Sequence, residues 1–377
     1  MKSGRFFTLV AVFAVASQFQ CGGSEEPVPP ASRQVQAPVS PVVHDDRTVT
    51  FSLLAPAANS VGVTVSGLTG PVAMVRSGNG IWSATVGPLK PEIWEYSFVV
   101  DGVSMIDPGN AWLDQRLRPA SSMMEVPGDS PMFYEIRDVP HGVVSVHTFA
   151  SGELGEMRSF QVYTPPRYDR TKPDTYPVLY LLHGVSNDDR GWVVMGRANY
   201  ILDNLIAEGK ALPMIVVMPN GQYRRAGTSA PGFNAAGYEQ DLFSIIIPTV
   251  EREYRVKTDP ASRAIAGLSM GGRQALEIGM RNLDRYAWMG IFSPALTDTT
   301  YQSALAPYFD TANERLRLLW LAIGEDDGLL TRYEPFISYL DERGVRYTST
   351  VSPGAHTWSV WRIYLRDLAL LMFRTDS

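Results

Sequence analysis

Apolar and polar residues alternate in the first part of the chain, from about residue 44 to residue 128. Apolar residues occupy every second position of several short segments, at 49–53, 61–65, 82–86 and 94–100. Turn-forming sequences such as SGNG at 77–80 separate these segments. A period of two predicts strands that bury one face, and short strands with regular turns predict an all-β sandwich.

The pattern changes in the second part of the chain, from residue 141 to residue 377. Continuous apolar runs replace the alternation, and they lie at 177–182, 214–218, 264–266 and 318–323. Such runs are typical of strands buried on both faces of a sheet. Helical spacing lies between and after them, at 201–206, at 242–250, where Pro248 is expected to kink or restart the helix, and at 358–372. Strands that alternate with helices predict an α/β fold with a mainly parallel sheet.

The first 43 residues have a composition of their own. Two basic residues precede an apolar run at 6–16, which is too short to span a bilayer and is typical of an export signal. Two processing routes fit the sequence: cleavage after the A-x-A sequence at 14–16, or lipidation of Cys21 as the first residue of a lipoprotein. Residues 22–43 carry five prolines and predict an extended linker. We therefore expect an exported protein, extracellular, periplasmic or lipid-anchored, whose membrane attachment is limited to a lipid on Cys21.

Composition excludes several classes of protein. The net charge is −6 and no basic stripe is present, which argues against nucleic-acid binding. No internal stretch approaches roughly 18 uninterrupted apolar residues, which argues against a polytopic membrane protein. Cys21 is the only cysteine, so neither an internal disulfide nor a CxxC metal or redox site can form. The histidines available to a mechanism are His44, His141, His147, His183 and His356.

The predicted nucleophile is Ser269, in the G-x-S-x-G sequence at 267–271. An apolar segment precedes this sequence and a helical pattern follows it, which is the strand–turn–helix context of a nucleophile elbow. Two glycines fit this context because the turn is strained and neighbouring chain segments approach it closely. The alternative interpretation is a glycine-rich packing turn without chemistry.

A serine hydroxyl needs a base that accepts its proton. In this fold class the order along the chain is serine, acid and histidine, and His356 is the only histidine after Ser269. The acid should follow a buried strand that lies between these two residues. The strand predicted at 318–323 is followed by three acidic residues at 325–327, and spacing alone does not choose among them.

An oxyanion hole needs two backbone N–H groups that point at the developing negative charge. One should come from Met270, directly after the nucleophile, and the other from a loop after an earlier strand. The run at 177–182 is followed by His183, Gly184 and Val185, so Val185 is the predicted second donor. We expect His183 to shape this loop rather than to act as a base.

Three aromatic residues are predicted to contact the substrate. Trp192 follows the oxyanion loop, Trp358 adjoins His356, and Tyr238 ends a glycine-containing stretch at 219–238. An aromatic wall of this kind would suit a feruloyl ring or the face of a sugar. The alternative for Trp358 is packing of the terminal helix on the sheet.

Four segments together resemble a known family. They are LLHG at 181–184, PMIVVMPNG at 213–221, RAIAGLSMGG at 263–272 and HTW at 356–358. These segments resemble the esterase D-like α/β-hydrolases, specifically carbohydrate esterase family 1. That family includes feruloyl esterases, acetyl xylan esterases and enterochelin esterase-like proteins. The sandwich in front resembles the immunoglobulin-like (E-set) module that precedes some secreted esterases.

The resemblance implies a role for each matching residue. Ser269 is implied as nucleophile, His356 as base, and the N–H groups of Val185 and Met270 as oxyanion donors. In the family, the acid is the last acidic residue before a small residue and Leu, which is Asp327 here. Asp326 is the fallback. No cofactor or metal is implied.

The function that the resemblance implies is a serine esterase with a Ser-His-Asp triad. Its expected substrates are small esters or acylated plant polysaccharides, with feruloyl or acetyl groups as the acyl part. One alternative is a siderophore trilactone esterase of the enterochelin type. Another is a non-catalytic envelope or binding protein that keeps a hydrolase shell.

The predicted organisation has two folded domains after the export signal and the linker. The sandwich is expected to dock on the catalytic domain and to shape its cleft, and Trp82 and Trp94 are expected to point into the sandwich core. The predicted boundaries are 1–21 for the signal, 22–43 for the linker, 44–128 for the E-set-like sandwich, 129–140 for a connection and 141–377 for the α/β-hydrolase domain.

Overall fold

The structure, a computed structural model, describes residues 36–114, 120–222, 235–297 and 300–374. The predicted export signal, Cys21 and the first part of the predicted linker lie outside the described residues. So does most of the stretch at 219–238, from which Tyr238 itself is described. None of the helices within the described ranges has the length and apolar character needed to cross a membrane.

The first part of the chain folds into two antiparallel sheets. One has the strand order β1-β2-β6-β5, and the other has the order β4-β3-β7-β8, with β9 also paired to β7. The strands are β1 (Val42–Val43), β2 (Val49–Leu54), β3 (Val61–Val65), β4 (Val72–Ala73), β5 (Val75–Arg76), β6 (Ile81–Val86), β7 (Glu92–Val100), β8 (Val103–Met105) and β9 (Ser122–Val126). These strands form the all-β unit that the alternating pattern predicts.

A shared core joins these two sheets. Phe51 of β2 and Tyr96 of β7 contact each other across the core, with ring centroids 4.8 Å apart. The alternate residues Val49, Phe51 and Leu53 are buried, as the period of two requires. Trp82 is buried in the same core, as predicted. We call this unit, residues 42–126, the β-sandwich; its immunoglobulin-like character stays a prediction.

The second part of the chain is built on one mixed sheet with the order β10-β11-β13-β12-β14-β15-β16-β17. The strands are β10 (Val143–Ser151), β11 (Glu156–Thr164), β12 (Val178–Leu182), β13 (Ile215–Pro219), β14 (Arg263–Leu268), β15 (Trp288–Phe292), β16 (Leu318–Gly324) and β17 (Thr348–Ser352). β11 pairs antiparallel with both of its neighbours, β10 and β13. The remaining neighbouring pairs in this order, from β13-β12 to β16-β17, are parallel. The predicted α/β fold is confirmed.

Helices cover both faces of this sheet. They are α1 (Gly191–Val194), α2 (Ala198–Ala207), α3 (Ala235–Asp241), α4 (Ile247–Glu253), α5 (Met270–Arg281), α6 (Ala306–Arg315), α7 (Leu330–Glu342) and α8 (Trp358–Leu371). Buried residues of α1, α2 and α8 share one core, and buried residues of α4 to α7 share the other. A π-helical segment, Leu242–Ile246, precedes α4, which restarts beside Pro248 as predicted.

The β-sandwich packs directly against this α/β body. Ile93 of β7 and Met123 of β9 are buried, and both belong to the core that α1, α2 and α8 form rather than to the sandwich core. The described residues from Ala37 onward therefore belong to one compact unit.

A buried carboxylate fixes the start of β10 against α2. Asp203 of α2 is 1% exposed and accepts hydrogen bonds from the Gly142 N–H at 2.9 Å and from the Tyr163 hydroxyl at 2.7 Å. Its other oxygen lies 2.8 Å from Nδ1 of His141. This buried carboxylate therefore links α2 to the start of β10 and, through Tyr163, to β11. Losing it would leave the donors on those segments unpaired.

Replacing Asp203 with Ala should lower the free energy of unfolding by about 3 kcal/mol, because buried donors would lose their acceptor. Asp174→Ala is the control, since Asp174 is exposed and should change stability by less than about 0.5 kcal/mol. Urea or thermal unfolding measures both changes. Equal stability of the two variants would contradict this role of Asp203.

Candidate active site

Ser269 lies on the turn between β14 and α5. Its backbone has φ 55° and ψ −115°, in the positive-φ region that residues with a side chain rarely adopt. The Ser269 N–H donates a hydrogen bond of 2.8 Å to the carbonyl oxygen of Phe292, at the end of β15. This strained geometry is that of the nucleophile elbow predicted from the sequence.

The two glycines of the G-x-S-x-G sequence have no room for a side chain. A Cβ atom on Gly267 would lie 2.5 Å from the carbonyl oxygen of Gly271. A Cβ atom on Gly271 would lie 2.5 Å from the carbonyl oxygen of His183. Both contacts are with backbone atoms, which cannot move aside as a flexible side chain can. The glycines therefore let the turn, the start of α5 and the loop after β12 approach one another.

Ser269, His356 and Asp327 form a continuous hydrogen-bonded series. The Ser269 hydroxyl lies 2.9 Å from Nε2 of His356, and Nδ1 of His356 lies 2.8 Å from Oδ2 of Asp327. A carboxylate at Nδ1 places the imidazole proton on that nitrogen, so Nε2 is free to accept the serine proton. Asp327 is buried, whereas Glu325 and Asp326 are exposed. The geometry thus selects Asp327 among the three carboxylates.

Hydrogen bonds keep Asp327 ionised. Burial alone would raise the pKa of this carboxyl, but hydrogen bonds from His356 and from the Leu329 N–H outweigh burial and hold the pKa below its usual range. A lowered pKa means that the negative charge persists as the pH falls to the acidic range. The carboxylate can therefore stabilise an imidazolium on His356.

The two predicted oxyanion donors lie beside the serine. Met270 is the first residue of α5, where backbone N–H groups have no partner within the helix. Val185 follows β12, is 41% exposed, and lines the same cleft as Ser269 and His356. Among the described residues, neither N–H donates a hydrogen bond to the protein. Both N–H groups are therefore available to a negatively charged oxygen.

His183 holds the loop after β12 in place. Its Nδ1 donates to the carbonyl oxygen of Gly184 at 2.8 Å, and its Nε2 accepts from the Gly221 N–H at 2.9 Å. Burial lowers the pKa of this imidazole, which favours the neutral ring that these two bonds require. Both ring nitrogens are engaged, so the structure agrees with a loop-shaping role.

Two of the aromatic predictions are wrong. Trp192 is 1% exposed, donates its indole N–H to the carbonyl oxygen of Leu182, and stands edge-on to Trp358. Tyr238 is fully buried in the other core of the body, which the buried residues of α4 to α7 share. Neither residue reaches the cleft surface, because the helices that carry them turn these side chains toward the sheet. Trp358 lines the cleft, together with Trp361, but it is buried and also packs in the core between α8 and the sheet, which was the alternative for this residue.

The cleft has a volume of about 650 Å³ and is built from both parts of the chain. The α/β body contributes Ser269, His356 and the two tryptophans of α8, and the β-sandwich contributes residues 66–67 and 90–95. Trp94 is half-buried: it packs against the sandwich core, as predicted, and it also lines this cleft. The opposite face of β7 carries Ile93, which is buried in the core of the body. Alternation could not reveal this burial, because that face would meet water in an isolated sandwich.

No metal site accompanies these groups in the part of the chain that the structure describes. Within those ranges, no three His, Cys, Asp or Glu side chains are grouped so that they could hold a metal ion. The arrangement that remains is a nucleophile, a base, a buried acid and two free N–H groups around an accessible cleft. Such a set of groups is suited to acyl transfer through a serine ester.

Comparison with known proteins places these features in a family. Residues 151–370 match the family model Esterase, described as "Putative esterase". The chain is 32% identical over 342 residues to an endo-1,4-beta-xylanase/feruloyl esterase of Xylanibacter ruminicola, covering 89% of this chain and 46% of that protein. It is 31% identical over 145 residues to an esterase of Mycobacterium tuberculosis, Rv1288, covering 37% of this chain and 30% of that protein. The chain thus spans about half, or less, of the length of these curated relatives.

Solved structures resemble the chain as well. A ferulic acid esterase is 28% identical with a TM-score of 0.54, and the match covers 61% of this chain and 97% of that one. The enterobactin esterase FES of Shigella flexneri is 18% identical with a TM-score of 0.62, covering 86% of this chain and 92% of that one. At this low identity the second match shows a common fold alone. It extends over most of the chain, beyond the part that the first match covers.

Substitutions in the hydrogen-bonded series should remove ester hydrolysis. We expect Ser269→Ala to lower kcat by about 10⁶-fold and Asp327→Asn by about 10⁴-fold, because the first removes the nucleophile and the second disturbs the tautomer of His356. Asp326→Asn is the matched control, since Asp326 is exposed and should retain activity. Initial rates with p-nitrophenyl acetate measure all three. A loss in Asp326→Asn with normal activity in Asp327→Asn would contradict the assignment of the acid.

Proposed function

The chain belongs to the esterase family whose model it matches, and we propose that it is an exported serine esterase. Its proposed substrates are carboxylic esters, specifically feruloyl or acetyl esters of plant polysaccharides. The observation that carries the proposal is the hydrogen-bonded series from Ser269 through His356 to Asp327, which opens on the cleft. A protein that only binds its ligand has no need of a strained serine paired with a histidine and a buried acid.

The reaction begins at the serine oxygen. Nε2 of His356 accepts the hydroxyl proton as Oγ of Ser269 attacks the carbonyl carbon of the ester. The imidazolium that forms is stabilised by the ionised carboxylate of Asp327. His356 then gives the proton to the alcohol oxygen as the bond between that oxygen and the acyl carbon breaks. The acyl group remains on Ser269. Water then attacks the acyl carbon as His356 accepts a proton from it, the bond to Oγ of Ser269 breaks, and His356 returns the proton to Oγ as the carboxylic acid leaves.

The N–H groups of Val185 and Met270 bind the oxygen that becomes negatively charged. They are held by backbone geometry, so no reorganisation is needed when the charge appears. Removing one such donor from an enzyme of this type costs on the order of 10²–10³ in kcat. The contacts that fix the loop after β12, including both bonds of His183, therefore support catalysis indirectly.

Three observations support an aromatic acid as the acyl group. The relative in Xylanibacter ruminicola carries feruloyl esterase in its name and matches 89% of this chain. A solved ferulic acid esterase matches at 28% identity. The cleft volume of about 650 Å³ exceeds what an acetyl group needs, and Trp358 and Trp361, although mostly buried, line the cleft beside His356.

Export is the second part of the proposal. It rests on the basic start of the chain, the short apolar run at 6–16 and the proline-rich segment at 22–43. A polysaccharide substrate is outside the cell, so an esterase that acts on it must be exported. Cleavage near residue 16 and lipidation of Cys21 both agree with this location.

Initial rates on a panel of esters test the proposed substrate. The panel holds p-nitrophenyl acetate, methyl ferulate, feruloylated arabinoxylan, acetylated xylan and a trilactone siderophore, with Ser269→Ala as control. We expect the highest kcat/KM among the natural-type esters for the feruloyl esters, with no turnover in the control. Exclusive turnover of acetylated xylan or of the trilactone would contradict the feruloyl assignment. No turnover of any ester by the folded protein would contradict the esterase itself.

A further inference from the structure

Arg362 of α8 is a charged side chain in the interior of the protein. It is 1% exposed. Its guanidinium donates to the carbonyl oxygen of Met195 at 2.6 Å, forms an ion pair with Glu92, and lies 4.8 Å from the centroid of the Tyr134 ring. Buried charges are costly unless they are paired and hydrogen-bonded, so this position must be specified by its partners.

The helix that carries Arg362 also positions the histidine of the site. Helix α8 begins at Trp358, two residues after His356. The ring of Trp361, the neighbour of Arg362 in sequence, stands edge-on to the His356 ring with centroids 4.8 Å apart. The Trp361 indole N–H donates to the hydroxyl of Ser293 at 3.1 Å. A shift of the first turns of α8 would therefore move the surface against which the histidine rests.

Glu92, the ionic partner, comes from the other part of the chain. It is the first residue of β7 in the β-sandwich and lines the same cleft as Ser269 and His356. The link from Glu92 to Arg362 spans 270 positions of sequence. It joins the β-sandwich to the first turns of α8, beside the catalytic cleft.

We propose that Glu92 and Arg362 are a positioning pair, through which the β-sandwich holds α8 and sets His356 in place for Ser269. This inference rests on the proposed esterase function. The pair touches neither of the reacting groups; it acts through Trp361 and the loop that precedes α8. In this role the β-sandwich is part of the catalytic unit rather than an independent neighbour.

The same interface offers a matched control. Arg197, at the start of α2, lies 3.6 Å from Glu125 of β9, and its guanidinium is 4.7 Å from the Trp112 ring. This second ion pair also joins the β-sandwich to the body, but its arginine is not on α8. Glu125 lies within electrostatic range of Arg362, and its ion pair is with Arg197. The side chains of Glu92 and Glu125 are 22% and 30% exposed, so a Gln in either place removes a charge of similar burial.

Steady-state kinetics of Glu92→Gln and Glu125→Gln test the pair with p-nitrophenyl acetate. We expect kcat of Glu92→Gln to fall at least about tenfold with KM changed less than about twofold, because a misplacement of 1 Å can cost about 10²-fold. Arg362→Lys, which keeps the charge but loses the planar fork, should show the same pattern. Glu125→Gln should keep the kcat of the wild type even where its melting temperature falls.

A second readout does not depend on turnover. The Nδ1 proton of His356, shared with Asp327, should give a far-downfield proton NMR signal that Asp327→Asn abolishes. We expect this signal to shift or broaden in Glu92→Gln and to stay unchanged in Glu125→Gln. If the unmodified protein hydrolysed no ester, the proposed function would be refuted. The NMR comparison would still show whether Glu92 and Arg362 position His356.

Several results would overturn the positioning role. Unchanged kcat and an unchanged NMR signal in Glu92→Gln would leave the pair with a structural role alone. A raised KM with unchanged kcat would place Glu92 in substrate binding instead. An equal loss of kcat in Glu125→Gln would show that the effect does not require the Glu92–Arg362 pair.

Discussion

The strained turn at Ser269 depends on three chain segments that meet without side chains between them. The end of β12, the turn after β14 and the end of β15 make backbone contacts there, and a Cβ on Gly271 would come within 2.5 Å of the His183 carbonyl oxygen. Because these segments are strands of one buried sheet, the turn cannot relax without disturbing the core. The serine oxygen and the N–H of Met270 consequently share one rigid frame, which is what an oxyanion site requires.

The histidine reaches this frame from a different direction. His356 lies in the loop between β17 and α8, and the position of α8 depends on contacts that extend into the β-sandwich, through Arg362 and Glu92. Nucleophile and base are thus supported by separate parts of the structure, one by the sheet and one by a helix at a domain boundary. The same boundary forms the cleft, so Trp94 of the β-sandwich and Trp358 of α8 both line it.

Much of this arrangement can be predicted from the sequence, because the patterns that indicate it lie within short segments of the chain. Continuous apolar runs gave the buried strands, and the G-x-S-x-G sequence placed Ser269 on its turn, while family resemblance selected Asp327 from three carboxylates. The structure brings these residues together with His356 as expected. The misplaced residues required long-range information. Trp192 follows the oxyanion loop in sequence but faces the sheet, and the packing of the body on the face of β7 that carries Ile93 is a contact that alternation cannot represent.

Covalent labelling with a fluorophosphonate is a direct test of Ser269 as the nucleophile, since the probe reacts by the same attack as an ester. The serine oxygen displaces fluoride from phosphorus, and the phosphonyl oxygen occupies the place of the oxyanion. Mass spectrometry of the digested protein then locates the adduct. We expect one adduct, on Ser269, which forms much more slowly when Asp327 is replaced with Asn. A folded protein that remains unlabelled, or that carries its adduct on another residue, would refute Ser269 as the nucleophile.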